Sequence, residues 1–375
     1  MSKRILVTST DLMMVQFLVP HVINLSENGF EVEIACSDVG GRMDEIRQKL
    51  EGHVGAVHTV RLVRSPASPT NLKGYGDMKK VIETGRYDVI WTNEPVMGVV
   101  TRLAARKARK RGTKVIYMVH GFHFFTGAPK ANWMIYYPVE QFASRFCDEI
   151  VTINQEDYNR AKKMHAPAVG YIHGIGVNTD RLQKKENQSN IRRELGLKDD
   201  DFLLLSVGEL NENKNHKVIL RALGRLQDRK IHYIICGKGD QLNALQALAA
   251  EQKITENVHF LGYRTDVVDI CSQADAFAFP SYREGLGLAA LEAMYCGLPL
   301  ITSNVRGPID FMVPGETGAI CPPDDIAAFA EAIQKLAADR ELRVKYGERN
   351  RQVVQNYCLE SVKKEVLELF KGFCQ

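Results

Sequence analysis

At 375 residues the chain is too long for one ordinary domain and about right for two. Its composition, 45% hydrophobic and 25% charged, is that of a globular protein and excludes a disordered or fibrous one. A formal charge of +4, with no basic tail and no interleaved aromatic-basic motif, argues against nucleic acid as a partner. The eight cysteines never form C-x-x-C and lie mostly in apolar runs, which fits free thiols in a reducing compartment better than disulfides or a zinc site. The apolar start Ile5-Leu6-Val7 turns polar at Thr8, too soon for a signal peptide. No run approaches the roughly 18 apolar residues of a membrane span. The expectation is a cytoplasmic chain whose membrane contact is peripheral.

In chain order, short β-rich runs alternate with helix-length segments. Strands are predicted at Arg4–Thr8, Glu31–Cys36, Val57–Val63, Asp88–Thr92, Lys114–Val119 and Glu149–Thr152. A second series follows at Phe202–Val207, Ile231–Cys236, Val258–Leu261, Ala276–Phe279, Pro299–Thr302 and Gly318–Cys321. Helical patterns such as Asp240–Gln252 and Asp325–Ala338 lie between them. Buried strands alternating with helices indicate α/β architecture with parallel, doubly wound sheets. The polar stretch Gln183–Asn190 (QKKENQSN) reads as a surface linker. Two Rossmann-like domains facing a cleft are expected, over residues 1–178 and 179–358, with a C-terminal helix at 359–375 packing back on the first.

Ligands of such sheets sit beyond the carboxyl ends of the strands. In the second half five strand ends carry glycine or polar loops, beginning at Gly208, Gly237, Gly262, Ser281 and Ser303. The most specific is Pro280-Ser281-Tyr282-Arg283-Glu284-Gly285-Leu286-Gly287, followed by Leu288-Ala289-Ala290-Leu291-Glu292-Ala293-Met294. Glu284 ends a loop, a helix begins near Gly287, and Glu292 lies about two turns in. Glycines let the backbone approach a ligand, and first-turn N–H groups with the helix dipole suit a diphosphate. Glu292 is placed to accept hydrogen bonds from sugar-type hydroxyls.

These residues resemble the family-4 glycosyltransferases of the GT-B fold, whose hallmark is two glutamates separated by seven residues in such a segment. The resemblance continues through Gly297-Leu298-Pro299 and Gly315-Glu316-Thr317-Gly318, and covers nearly the whole chain. It implies that Glu284 contacts donor-sugar hydroxyls and Glu292 the ribose, with Gly285, Leu286 and Gly287 beside them. In Gly208-Glu209-Leu210-Asn211-Glu212-Asn213-Lys214 the family commonly has arginine after the glycine and lysine five residues on, a clamp for the departing diphosphate. Lys214 matches; Glu209 stands where arginine is common, so another group must compensate. In Val119-His120-Gly121-Phe122-His123, His120 resembles the acceptor-domain histidine that faces the donor sugar, with His123 its rival. Tyr263 or Arg264 flanks the base by the same resemblance, and Gly237 joins the donor-binding set. A glycine pair common after the first strand is replaced by Ser9-Thr10-Asp11.

The resemblance further implies retention of anomeric configuration, a UDP-linked hexose or N-acetylhexosamine as donor, and no metal or other cofactor. Consistent with the last, no histidines pair at ligand spacing. A nucleotide-sugar epimerase and a catalytically inactive sugar-nucleotide binder are the alternatives. A dehydrogenase would need G-x-G-x-x-G after a strand, of which Gly237-Lys238-Gly239 is half.

Finally, Arg102–Arg111 holds six basic residues and no acid. On one helix Arg102, Arg106, Arg109 and Lys110 would form a continuous face. Aromatic residues follow, among them Phe122, Phe124, Phe125, Trp133, Tyr136, Tyr137 and Phe142. The expectation is docking on an anionic membrane through Arg102, Arg106, Arg109, Lys110, Phe124 and Phe125. Such docking would reach the polyprenyl-diphosphate-linked acceptor implied by resemblance to exopolysaccharide enzymes. The other reading is a solvated basic helix beside a buried aromatic core.

Overall fold

The computed structural model describes residues 2–39, 43–183 and 190–374, so most of the expected linker, 184–189, lies outside the described residues. The chain divides into two compact units, residues 1–176 with 360–375, and residues 177–359.

In the first unit β1 (Arg4–Thr8), β2 (Glu31–Cys36), β3 (Val57–Thr59), β4 (Val89–Asn93), β5 (Lys114–Val119), β6 (Glu149–Thr152) and β7 (Ala168–Tyr171) form one parallel sheet. Its order is β3-β2-β1-β4-β5-β6-β7. Its helices are α1 (Leu12–Glu27), α2 (Met43–Lys49), α3 (Thr70–Gly85), α4 (Pro95–Ala104), α5 (Arg106–Arg109), α6 (Lys130–Ala143) and α7 (Gln155–Ala161). The second unit opens with α8 (Thr179–Leu182) and α9 (Ile191–Glu194). Its sheet comprises β8 (Phe202–Val207), β9 (Ile231–Cys236), β10 (Val258–Gly262), β11 (Ala276–Phe279), β12 (Leu300–Ser303) and β13 (Gly318–Cys321), in the order β10-β9-β8-β11-β12-β13. Around it lie α10 (His216–Leu226), α11 (Leu242–Glu251), α12 (Val267–Cys271), α13 (Leu288–Tyr295), α14 (Pro308–Phe311), α15 (Ile326–Ala338) and α16 (Arg340–Val353). The last helix, α17 (Leu359–Cys374), returns to the first unit. It does so because Val362, Val366 and Phe370 recur every four residues on one face and are fully buried, with the Phe370 ring 5.4 Å from Trp91.

Both sheets are parallel and their central strands are mostly apolar, with polar residues near the strand ends, as burial on two faces requires. In each, strand order reverses once, between β1 and β4 and between β8 and β11. Such reversals leave a crevice at the carboxyl ends of the strands. β3 is shorter than expected, since the chain turns away when Leu62 donates back to Val60. β7 was not foreseen: it is a four-residue edge strand containing Gly170, too short and too weakly patterned to stand out.

The structure corrects the membrane face drawn from the basic run. The run is two short helices, α4 and α5, rather than one, so no continuous basic face forms. The Arg102 side chain is 0% exposed. It donates through Nη2 to Glu140 Oε2 at 2.7 Å and through Nε to the Gly98 carbonyl at 2.8 Å, with its guanidinium 3.9 Å from the Tyr117 ring centroid. Arg109 is held by both carboxylate oxygens of Asp148. Phe124 and Phe125 are buried, Phe124 stacking on Phe122. Burying an arginine demands a partner, and Glu140 is the one that α6 supplies. Arg106, Lys107 and Lys110 remain exposed.

Removing one member of a buried pair strands the other charge. Arg102→Met should therefore cost about 3–5 kcal/mol in urea unfolding, and Arg102→Met/Glu140→Leu should recover most of it. Arg106→Gln, on the surface, should stay within about 0.5 kcal/mol.

Candidate functional site

In the second unit the crevice lies where β8 and β11 part. Their carboxyl-end loops are stitched together. Asn213 accepts from the Tyr282 N–H at 2.8 Å and donates to the Arg283 carbonyl at 3.1 Å; Asn215 donates to the Pro280 carbonyl at 3.1 Å. That register brings Lys214 Nζ 2.7 Å from Glu284 Oε1, with the ammonium 4.9 Å from the Phe279 ring centroid. Arg306, nearly buried on the loop after β12, donates through Nε to the Glu284 carbonyl at 3.0 Å. Two cations thus converge on the loop preceding α13. The buried hydroxyls of Ser281 and Ser303, at the ends of β11 and β12, have no hydrogen-bond partner among the described residues.

α13 begins at Leu288, so Glu292 is its fifth residue, little more than one turn in rather than two. Gly287 caps the helix at φ 104°, a left-handed backbone in which a Cβ would also press on the Phe279 ring. Burial raises the Glu292 carboxyl above its ordinary range despite an ion pair with Arg181. Gly237 has a packing reason of its own: a Cβ there would stand 1.7 Å from the Gly208 carbonyl oxygen, so the loops after β8 and β9 can meet only without one. Glu209 is exposed and accepts from Asn211 at 2.8 Å. Arg264 is committed to Asp266 and Glu194, while Tyr263 is open to solvent. The structure thus brings Gly208, Lys214, Glu284, Gly285, Leu286 and Gly287 together, and leaves Arg264 engaged elsewhere.

In the first unit the crevice lies between β1 and β4. His120, at the end of β5, lies 2.9 Å through Nε2 from Asn93 Oδ1, and Asn93 donates to the Thr8 carbonyl at 3.2 Å. Glu94 follows at φ 65° and ψ 157°, strained for any residue but glycine. The conformation is held by Oε2, which accepts from Ser9 Oγ at 2.6 Å and from the Thr10 N–H at 2.7 Å. Thr10 and Asp11 therefore serve locally: Thr10 Oγ1 accepts from the Met97 N–H, and Asp11 pairs with Arg64. Glu94, His120, His123 and Tyr136 line one cavity of about 230 Å³. Burial lowers the His120 imidazole to about 4 and raises the Glu94 carboxyl. Glu94 and Arg181 were not singled out in the sequence. Glu94 directly follows β4, so the strand-end rule applied to the second half would have found it. Arg181 carries no such signal, because only tertiary folding brings it to Glu292.

The family described as "Glycosyltransferase Family 4" matches residues 21–181, and that described as "Glycosyl transferases group 1" matches residues 187–353. The chain is 36% identical to EpsD of Bacillus subtilis (strain 168), named provisionally as a glycosyltransferase, over 100% of this chain and 97% of that one. It is 26% identical to the Escherichia coli UDP-Gal:alpha-D-GlcNAc-diphosphoundecaprenol alpha-1,3-galactosyltransferase, over 85% and 83%. Among solved structures, Anabaena HepE in complex with UDP shares the fold with a TM-score of 0.80 at 18% identity, over 99% and 100%.

Stability should fall with acid. His21, His120, His216 and His259 are each held at about 4 by burial, below the 6.5 they take in the unfolded chain. Above pH 7 both states are neutral. Between pH 6.5 and 4 the unfolded state binds protons that the folded state refuses, so folding weakens. The raised carboxyls of Glu94, Glu149 and Glu292 oppose this, while the lowered ones of Glu33, Glu156 and Asp77 add to it. The urea midpoint should be flat from pH 8 to 7 and lower at pH 5. The His120 ring should remain neutral at pH 5.5 by nitrogen NMR.

Proposed function

The chain belongs to the family-4 glycosyltransferases and has their GT-B fold, and from that premise we propose the following reaction. A hexose or N-acetylhexosamine passes from a UDP-sugar to a polyprenyl-diphosphate-linked acceptor, with retention of configuration and no metal. The observation that carries the reading is the Lys214–Glu284 pair, joined by Arg306, at the loop leading into α13. A nucleotide diphosphate needs fixed positive potential, and two cations with the first N–H groups of an eight-residue helix offer it. The HepE structure is a complex with UDP, and the E. coli relative's name gives a diphosphoundecaprenol acceptor; both favour this substrate class.

On this reading Glu284 turns from Lys214 to the hydroxyls of the donor sugar as the diphosphate takes over the lysine. Glu292 exchanges Arg181 for the ribose hydroxyls. Arg306 supplies the second cation that Glu209 does not. The bond from the anomeric carbon to the diphosphate oxygen breaks, its electron pair leaving with UDP. The acceptor oxygen bonds to the same face of that carbon, and its proton passes to the departing phosphate. His120, kept neutral, exchanges hydrogen bonds with a sugar hydroxyl. Glu94 orients an acceptor hydroxyl from its strained perch.

Several measurements bear on this reading. UDP-sugars should raise the melting temperature, and Glu292→Ala should weaken their binding about tenfold or more, one charged hydrogen-bond set being lost. Lys214→Ala and Arg306→Ala should each slow transfer about a hundredfold. Activity should survive excess EDTA; abolition with rescue by Mg²⁺ would refute the metal-free step. Mass spectrometry should show a new product only when donor and acceptor are both present. Product from donor alone would indicate epimerisation, and wild-type turnover in all three variants would displace the site.

A further inference from the structure

Strand register brings Asn93 and His120 together. β4 lies between β1 and β5, and Asn93, the last residue of β4, pairs across the ladder with Met118. His120 stands two residues beyond Met118, so the pleat carries it to the face that Met118 and Asn93 share. Asn93 is fully buried and cannot turn its amide to bulk water. It has a partner on each side. Nδ2 lies 3.2 Å from the Thr8 carbonyl on β1, and Oδ1 lies 2.9 Å from His120 Nε2. The carbonyl decides which end of the amide is which. Turned over, the amide would set its oxygen against the Thr8 oxygen, two acceptors with no proton between them. With Nδ2 donating to Thr8, Oδ1 can only accept.

That orientation places a proton on the histidine. A neutral imidazole has one N–H and one bare nitrogen, and the partner of either nitrogen decides which is which. The His120 ring is neutral because burial lowers it to about 4. Asn93 Oδ1 has no proton to give, so Nε2 must hold the ring's only one, and Nδ1 is a lone pair. His21, the other imidazole nearby, turns its Nε2 to the Ile175 carbonyl at 2.9 Å and does not compete for Asn93. Nδ1 of His120 has no hydrogen-bond partner among the described residues, and the ring lines the cavity of about 230 Å³ that Glu94, His123 and Tyr136 share. We propose that Asn93 is a positioning residue that locks His120 in the Nε2–H tautomer, so that Nδ1 acts only as an acceptor and selects an O–H donor in that cavity. The inference rests on the reaction proposed above, in which a sugar hydroxyl meets His120, and gives that contact a direction. A hydroxyl of the donor sugar or of the acceptor meets the same requirement, because each brings an O–H. An ether, a deoxy position or a fluorine at the same place does not.

Nitrogen NMR reads the tautomer directly, because a protonated and a bare ring nitrogen resonate far apart. In the full chain with nitrogen-labelled histidine, the His120 signals are those lost in His120→Gln. Near neutral pH the wild type should carry its proton on Nε2; a proton on Nδ1 overturns the proposal. Asn93→Asp keeps an acceptor and should keep the tautomer. Asn93→Leu removes it and should give mixed tautomers and slow transfer about tenfold or more, one oriented hydrogen bond being lost. An unchanged spectrum in Asn93→Leu also overturns the proposal, and the wild-type and Asn93→Asp spectra keep the test decisive if Asn93→Leu fails to fold. Fluorine cannot donate, so substrate analogues test the selecting role. Among singly deoxyfluorinated forms of the transferred UDP-sugar and of its acceptor, one should cost the wild type about tenfold or more and cost His120→Ala nothing further. The set that contains it tells donor from acceptor, and a penalty in neither set overturns the role. The spectrum needs no substrate. An Nε2–H ring in a chain that transfers neither UDP-glucose nor UDP-N-acetylglucosamine supports the lock and removes the reaction; an Nδ1–H ring in an active enzyme does the reverse.

Discussion

A lysine and a glutamate seventy positions apart in the chain share one hydrogen bond of 2.7 Å, and the character of the second unit's crevice depends on it. The contact exists because strand order reverses between β8 and β11, so that the loops after them part at the crevice while asparagine side chains keep them in register. Neither charge is free while the other is present. The pair is partly buried, where charges repay their lost hydration only if well matched. On the proposed reading, a diphosphate entering the crevice would take the lysine at little electrostatic loss and free the carboxylate for hydroxyl donors. On that view the ion pair stands in for the donor, and its geometry prepares the crevice for a ligand that is anionic at one end and hydroxyl-rich at the other.

The first unit uses the same topological device with the opposite electrostatics. Its crevice gathers a neutral histidine, an asparagine and a glutamate held by Ser9 and Thr10, and the nearby Arg64 is committed to Asp11. A neutral imidazole and a carboxyl raised by burial can exchange hydrogen bonds with hydroxyls but offer nothing to a diphosphate. The strain at Glu94 belongs with this. A residue kept at φ 65° by two hydrogen bonds to its own carboxylate is held by its surroundings, not by local preference. The two crevices thus differ in chemistry, and on the proposed reading one would suit a nucleotide diphosphate and the other an alcohol.

Much of this was legible in the sequence, for a physical reason. Strands buried on both faces must be largely apolar, and the loops after them must carry whatever binds; both leave marks in composition. Twelve strands were foreseen, several to the residue, and the segment from Ser281 to Glu292 was recognised as a loop running into a helix. The exceptions share a cause. β7 is an edge strand with one glycine in four residues, and edge position is not a local property. Glu292 pairing with Arg181, and Arg264 being taken by Asp266 and Glu194, are tertiary facts that spacing cannot carry.

The basic run shows the limit most sharply. Counting charge treats every arginine as solvated, yet Arg102 lies in the core against Tyr117 and Glu140, and Arg109 is neutralised by Asp148. The same blindness hid α6 in the opposite direction. Its aromatic residues were noticed because they are aromatic, and those are mostly the ones that pack inward. Met134, Ile135 and Val139, aliphatic and unremarked, are the ones left in water. A periodicity of 3.6 cannot distinguish a helix buried all round from one that is apolar all round and half exposed. Only burial decides, and here it moves the surface with a reason to leave water from a charged helix to the apolar outer face of α6. The exposed cations of α5 then fall beside an apolar strip instead of standing alone.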